Sequence, residues 1–255
     1  MASGIAEKSG TVLYLYGITK ESLSFRQNVT GVDGSSVIEP VECGGLTCWV
    51  SRVPAADYAE SLSSNMENLD WLAAASVRHQ KVLAALAGLA DVLPARFGTV
   101  FLSVQSLAAD VTSRKRTFEA DFRKIQGCDE WGIKIFVVPK RTQIPAGPAR
   151  SGKDYLKAKA ALLQSRPTKS KISSSDLQPF SQELHRLAVD TASVGKVSGG
   201  QRGLEWQTSI LLRRPDRKKL ESLLRKYSKL WAGAHQIECT GPWPPYSFVS
   251  AGSNS

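Results

Sequence analysis

The first half of the chain consists of short apolar runs followed by two helical stripes. Residues 12–18 are apolar on both faces, which predicts a central strand that is covered on both sides. Residues 37–42 and 46–53 flank Gly44 and Gly45 and predict a hairpin. Two amphipathic helices follow, and the positions that define them are Leu69, Leu72, Ser76, Leu83, Leu86 and Ala90 in the first and Val104, Leu107, Val111, Phe118, Phe122 and Ile125 in the second.

The pattern restarts near residue 130 and predicts the order strand, helices, strand, strand, helix, strand. The predicted strands span 131–138, 192–198, 204–212 and 235–240, and the helices span 155–163, 177–187 and 220–231. This is the split βαββαβ order of a ferredoxin-like sandwich. We therefore predict an α+β protein of two domains, in which the C-terminal domain is ferredoxin-like and the N-terminal domain is a related α+β sandwich.

The predicted boundaries follow changes in composition along the chain. The segments are a disordered leader at 1–10, an N-terminal domain at 11–128, a C-terminal domain at 129–240 with a basic Pro/Gly loop at 139–152, and an extended aromatic and proline segment at 241–255. A length of 255 residues with 42% apolar content fits two domains, because a single domain uses about 100–150 residues.

The distribution of charge along the chain suggests a class of binding partner. The chain carries 33 Lys and Arg against 23 Asp and Glu, and the excess is concentrated at 140–171 and 213–229. A local excess of positive charge attracts nucleic acid, acidic lipid or acidic protein surfaces. Alternatively, these basic residues lie on solvated helix faces and in a linker and bind no partner. A basic nucleic-acid-binding module is thus the alternative function. Residues 131–137 lack the stacked aromatics of RNA-binding ferredoxin-like domains, which counts against nucleic acid as a partner.

The sequence offers no recognisable catalytic, cofactor or metal site. Its four cysteines form no CxxC pair, and the hairpin would place Cys48 opposite Val41, not opposite Cys43, so reduced and buried thiols are expected. Residues 199–203 lack both glycine-rich phosphate motifs and join two predicted strands. His79 has no orienting carboxylate or nucleophile near it in the pattern, and we expect it on a helix surface or an interface.

A membrane partner is also not expected. The longest uncharged apolar run, residues 82–90, has nine residues, whereas a membrane-spanning helix needs about 18–20. The first ten residues lack the apolar core of a signal peptide. We therefore predict a soluble protein without a membrane segment.

Two unusual segments are candidates for partner contact. Residues 94–99 place Arg96 in a bend between two extended pieces, where it can anchor the turn or project from it. Residues 241–248 combine three prolines with Trp243, Tyr246 and Phe248 and cannot continue a helix. These aromatics either pack back onto the body as a clasp or form an adhesive surface for a partner.

These segments belong to a series of blocks that resembles the GvpL/GvpF family of gas vesicle proteins. The blocks occur in family order over residues 11–249, and they are Tyr14–Ile18, Val77–Leu83, Val92–Thr99, Glu130–Lys134, Gly152–Leu156 and Gly241–Phe248. The resemblance implies two α+β domains of ferredoxin-like character and a role in building gas vesicles, the hollow protein-walled compartments that give some prokaryotes buoyancy. It implies no catalytic residue, and hence no enzyme.

The resemblance also implies the partners. Family members are regarded as minor vesicle components or assembly factors that contact the small hydrophobic shell protein. We therefore expect binding to that shell protein and to other vesicle accessory proteins, in the gas vesicle and the cytoplasm. The candidate contact residues are Arg96, Trp243, Tyr246 and Phe248, with an open sheet edge as a second possible surface.

Overall fold

The fold is mixed α+β with two sheets. The structure is a computed structural model that describes residues 10–25, 29–138, 172–193 and 201–250. Its compact unit 1 comprises the described residues of Met1–Glu130 and Pro242–Ser255, and unit 2 comprises those of Trp131–Gly241. The predicted basic loop at 139–152, the predicted helix at 155–163 and most of the predicted leader lie outside the described residues.

The elements of unit 1 are β1 Thr11–Thr19, β2 Glu39–Cys43, β3 Leu46–Pro54, a π-helical turn Ala56–Glu60, α1 Leu62–Glu67, α2 Leu69–Ala87, β4 Leu93–Pro94, β5 Val100–Phe101, α3 Val104–Ser113 and α4 Lys115–Ile125. Its sheet has the order β2-β3-β1-β4, and β5 also pairs with β1. Strand β1 is antiparallel to β3, β4 and β5.

The prediction of a central strand covered on both sides is confirmed. Alternate residues of β1 enter two separate apolar clusters, with Tyr14 in one and Leu15 in the other. The first cluster includes the buried face of α2, and the second includes the buried faces of α3 and α4. The predicted hairpin is also confirmed, and Cys48 lies opposite Val41.

The helical stripes need two corrections. Leu69 was expected in the buried stripe of α2, but it is 78% exposed, and the buried positions are Ala75, His79, Val82, Leu83 and Leu86. The prediction is confirmed at Leu83 and Leu86 and wrong at Leu69, because the buried face also contains an alanine and a histidine that apolar spacing does not reveal. The second stripe is buried as expected at Leu107, Val111, Phe118, Phe122 and Ile125, but it belongs to two helices that meet at Arg114.

Gly17 allows β4 to approach β1 closely. The register between β1 and β3 shifts between Leu15 and Gly17, and Gly17 pairs with Pro94. A Cβ atom on Gly17 would lie 2.8 Å from Val92 Cγ2 and 2.9 Å from the Leu93 carbonyl oxygen. Glycine within a strand commonly marks such a close backbone approach.

Gly17→Ala is therefore expected to lower the free energy of unfolding by about 1–3 kcal/mol, because the added methyl group must displace a backbone carbonyl. Urea denaturation of the purified protein measures the change. Gly88→Ala is the matched control, since the nearest atoms to its Cβ would be at 3.5 Å, an ordinary contact. Equal stability of the two variants would contradict this role of Gly17.

The described elements of unit 2 are β6 Cys128–Val137, α5 Ser174–Leu187, β7 Asp190–Ala192, β8 Leu204–Arg213, a 3-10 turn Arg214–Asp216, α6 Arg217–Leu230 and β9 His235–Trp243, and the first and last of them extend past the limits of the unit. The four strands form a sheet with the order β7-β8-β6-β9. The core of the unit is formed by side chains of this sheet and of the two helices, around Phe180, Tyr227 and Trp231.

Several details of unit 2 differ from the expectation. Helix α5 begins at Ser174, before the predicted start at residue 177, and the Ser173 side chain accepts its N-cap hydrogen bond. Helix α6 begins at Arg217, before the predicted start at residue 220, and its last residue, Leu230, is 68% exposed. Strand β9 continues to Trp243 and includes Pro242. Among the described residues β9 pairs on one side only, and an outer strand tolerates a proline that cannot donate a ladder hydrogen bond.

Candidate functional site

The candidate site is the C-terminal segment, residues 242–250, together with the parts of unit 1 that hold it. After β9 the chain passes through two buried prolines and a turn at residues 246–248. Tyr246 packs against the apolar cluster on the α2 side of the sheet, and Val249 packs against the cluster on the α3 and α4 side. The segment therefore joins both cores of unit 1, so it packs back as a clasp within that unit.

A chain of hydrogen bonds links Tyr246 to the centre of unit 1 through His79. The Tyr246 hydroxyl lies 3.1 Å from His79 Nε2, and the Tyr14 hydroxyl lies 3.0 Å from His79 Nδ1. The Gly98 N–H donates to the Tyr14 hydroxyl at 3.1 Å, and Gln80 Nε2 donates to the Tyr246 hydroxyl at 3.3 Å. Four of the blocks singled out in the sequence thus converge on one imidazole.

His79 is 1% exposed, so it does not lie on a helix surface, which was one of the two positions expected for it. Burial lowers the pKa of His79 to about 4, an effect that the Ala95 carbonyl partly offsets. A neutral imidazole has one donor and one acceptor nitrogen, which match the two tyrosine hydroxyls. Burial also raises the pKa of both Tyr14 and Tyr246, so all three groups are uncharged at neutral pH.

Two buried carboxylates hold the rest of the segment. Glu130 accepts the Ser247 N–H at 2.8 Å and the Ser247 hydroxyl at 2.6 Å. Asp121 accepts the Ser250 N–H at 2.9 Å and the Ser250 hydroxyl at 3.1 Å. Hydrogen bonds to a charged acceptor are stronger than those between neutral groups. Each serine is therefore fixed through both its backbone and its side chain.

The segment's predicted contact residues occupy different environments. Phe248 is 4% exposed, and Lys124 Nζ lies 5.5 Å from its ring centroid. Tyr246 is half-buried, whereas Trp243 is 47% exposed. The sequence presented a buried clasp and an adhesive surface as alternatives for the whole segment, but the structure shows that different residues of it are buried and exposed. Tyr246 and Phe248 supply the clasp, and Trp243 is the aromatic side chain that remains accessible.

Arg96 lies in the bend between β4 and β5 and is exposed. The bend is closed by its carbonyl oxygen, which accepts the Thr99 N–H at 3.2 Å and the Thr99 hydroxyl at 2.7 Å. The guanidinium makes no hydrogen bond or ion pair within the part of the chain that the structure describes, so it does not anchor the turn. The adjacent Phe97 ring packs against His79, with their centroids 5.7 Å apart. The Arg96 bend and Tyr246 therefore meet at the same histidine.

The long outer strands are poor templates for strand addition. Over the described ranges, β2 pairs only with β3, and β9 only with β6. Each carries a proline, Pro40 in β2 and Pro242 in β9, which removes one backbone donor. Proline on an outer strand is a common device that opposes edge pairing. This geometry favours the exposed Trp243 over an open sheet edge as a contact surface.

Sequence reasoning missed several residues that hold this site. Asp121, Glu130 and Gln80 were not named as candidates, although each contacts the C-terminal segment. The available signal was Asp121 within an apolar stripe, next to Phe122, where an unpaired carboxylate would be costly.

Over residues 10–25, 29–138, 172–193 and 201–250, no group of His, Cys, Asp or Glu could hold a metal ion. No described helix is long and apolar enough to cross a membrane.

Comparisons with known proteins agree over almost the whole chain. The family model described as gas vesicle synthesis protein GvpL/GvpF matches residues 12–250. Gas vesicle protein L of Streptomyces sp. (strain CB03234) is 29% identical over 217 residues, which cover 81% of this chain and 80% of that protein. Gas vesicle protein F2 of Halobacterium salinarum is 23% identical over 240 residues, which cover 93% and 91%.

Two crystal structures share the fold. Gas vesicle protein GvpF from Anabaena sp. PCC7120 superposes with a TM-score of 0.68 at 20% identity, over 96% of this chain and 99% of that one. GvpF from Microcystis aeruginosa superposes with a TM-score of 0.66 at 20% identity, over 94% and 99%. At this identity the likeness establishes the mixed α+β architecture.

Proposed function

The chain belongs to the GvpL/GvpF family of gas vesicle synthesis proteins, and we propose that it serves gas vesicle formation by binding the small hydrophobic shell protein. A shell that excludes liquid water needs an apolar gas-facing surface, so its free subunits expose apolar area and tend to aggregate. A protein that binds these subunits lowers their free concentration and can deliver them to a growing edge. This role requires binding and no catalysis.

The observation that carries this proposal is Trp243, a half-exposed indole on a rigid support. The chain that follows it is fixed by the Tyr246 contact with His79 and by the two carboxylates that bind Ser247 and Ser250. A large aromatic group that is already ordered loses little entropy when a partner covers it. Tryptophan is also among the residues most enriched at binding hot spots.

Trp243→Ala is therefore expected to weaken binding of the purified shell protein by about 10- to 30-fold, with unchanged protein stability. The measurement is a pull-down or surface-binding titration with immobilised shell protein, accompanied by a thermal unfolding curve. Tyr246 and Phe248 enter the proposal as the residues that support Trp243, and Arg96 as an exposed cation on the adjoining bend of unit 1.

Leu230→Ala is the matched control, because Leu230 is also a large exposed apolar residue but lies in unit 2. Its substitution should leave shell-protein binding unchanged. If both variants bind the shell protein as tightly as the parent protein, Trp243 is not the contact. If the parent protein binds no vesicle component at all, the proposed function is wrong.

The element order of unit 2 supports a ferredoxin-like description. Its described strands and helices follow the order βαββαβ, and the four strands, numbered by their order in the chain, are arranged 2-3-1-4 in the sheet. We propose that unit 2 is a ferredoxin-like domain, with unit 1 as a related α+β sandwich that carries an inserted hairpin. We also propose that the protein resides in the cytoplasm and at the gas vesicle as a minor component, in contact with other vesicle accessory proteins.

A further inference from the structure

A basic groove lies between the two helices of unit 2, and none of the residues assigned to shell-protein binding lines it. It has a volume of about 760 Å³ and is open to solvent. Leu187 of α5 and Leu223 of α6 supply its apolar lining, which we call the apolar strip. The remaining lining residues are Glu183, Arg186, Lys218, Lys219, Ser222 and Lys226.

The charge of the groove is not neutralised by its own residues. Glu183 already accepts hydrogen bonds from two donors, from Lys226 Nζ at 2.7 and 3.0 Å and from the Tyr227 hydroxyl at 2.8 Å. Lys219 is paired with Asp216 at 2.7 Å. Lys218 has no acidic partner among the described residues, and the only hydrogen bond of the Arg186 side chain there is to the Gln182 carbonyl, at 3.4 Å. Glu183 also interacts electrostatically with Arg186, but the lining still holds four cations against this one carboxylate, so the groove keeps an excess of positive charge.

We propose that this groove binds an acidic amphipathic helix of a different protein. Leucines at the centre would cover one apolar helix face, and Arg186 and Lys218 would pair with carboxylates on its flanks. A second copy of this chain is a poor occupant, because the chain has a net charge of +10 and two copies repel each other. The site is chemically different from Trp243 and does not depend on the shell-protein contact.

The lining of the groove favours a peptide over nucleic acid. A single-stranded nucleic acid would use exposed aromatic side chains for base stacking and an uninterrupted cationic path for its phosphates. The groove presents leucines in place of aromatics, and the Glu183 carboxylate lies among the cations. Mixed charge around an apolar strip instead matches the polar flanks and apolar face of an amphipathic helix.

The test uses the full-length protein and a fluorescently labelled synthetic helix with leucines on one face and glutamates on its flanks. Fluorescence anisotropy should show binding that weakens with added salt. Arg186→Glu combined with Lys218→Glu should weaken it about tenfold, because each reversal replaces an attraction with a repulsion. A peptide with serine in place of leucine should also bind more weakly.

The matched control is Arg225→Glu combined with Lys229→Glu, which makes the same change in net charge on α6 at positions outside the groove lining. It should weaken peptide binding by less than about threefold, since a surface charge at a distance is screened by salt. Equal losses in the two double variants would mean that only the general positive field attracts the peptide, and would overturn the proposal. Tighter binding of a single-stranded oligonucleotide, lost on substitution of Arg186 and Lys218, would also overturn it. Circular dichroism confirms that both variants remain folded.

Discussion

Phe248→Ala is expected to lower the free energy of unfolding by about 3–5 kcal/mol, the usual loss for a buried phenylalanine. The ring is almost fully buried although it lies near the end of the described chain. Its removal leaves a cavity between the segment and α4, next to the two serines that bind Asp121 and Glu130. Urea denaturation of the parent protein and the variant measures the difference.

Trp243→Ala is the internal comparison, because it removes a larger aromatic from the same segment at an exposed position. Its stability should stay within about 0.5 kcal/mol of the parent protein, as for most surface substitutions. If the two variants lose the same stability, the segment does not divide into a buried clasp and an accessible contact. If neither loses stability, the segment does not hold unit 1 together, and Trp243 loses the rigid support on which the proposed contact depends.

The elements that the sequence predicted best are those whose pattern comes from local burial. Strand β1 is apolar at almost every position because both faces of its sheet are covered, and this needs no knowledge of what covers them. The hairpin could also be predicted from the sequence, because Gly44 and Gly45 mark a turn in which both residues adopt positive φ, which glycine tolerates best. The register then followed from the turn, down to the pairing of Cys48 with Val41.

The candidate site could be predicted only in part from the sequence, because its interactions join residues that are far apart in the chain. His79 lies 65 residues from Tyr14 and 167 residues from Tyr246. An arginine and a glutamine on either side of it suggested an exposed helix turn, whereas tertiary contacts place the imidazole among aromatic rings. Conversely, the aromatic residues of the C-terminal segment were recognised as unusual, but only the structure divided them into buried and exposed.

His79 also predicts an acid-sensitive stability of unit 1. In an unfolded chain a histidine has a pKa of about 6.5, whereas burial lowers the pKa of His79 in the folded protein to about 4. Between these values the unfolded state binds a proton that the folded state excludes. The folded protein should therefore lose stability as the pH falls from about 6.5 to 4, by about 3 kcal/mol in total. Above this window the imidazole is neutral in both states and contributes no pH dependence.

His79→Gln isolates this contribution, since glutamine retains a donor and an acceptor but does not titrate. The measurement is the difference in unfolding free energy between the parent protein and the variant, determined by urea denaturation at several pH values. The unfolding free energy of the parent protein should exceed that of the variant by the largest amount at neutral pH. This difference should shrink by about 2.5 kcal/mol by about pH 4.5. Burial of Asp33 is outweighed by hydrogen bonds from Ser36 and Ser35, which lower the pKa of its carboxylate, and this group is common to both proteins. A constant difference across the window would mean that the imidazole takes up a proton without leaving its place between Tyr14 and Tyr246, and the hydrogen-bonded chain would then not depend on a neutral histidine.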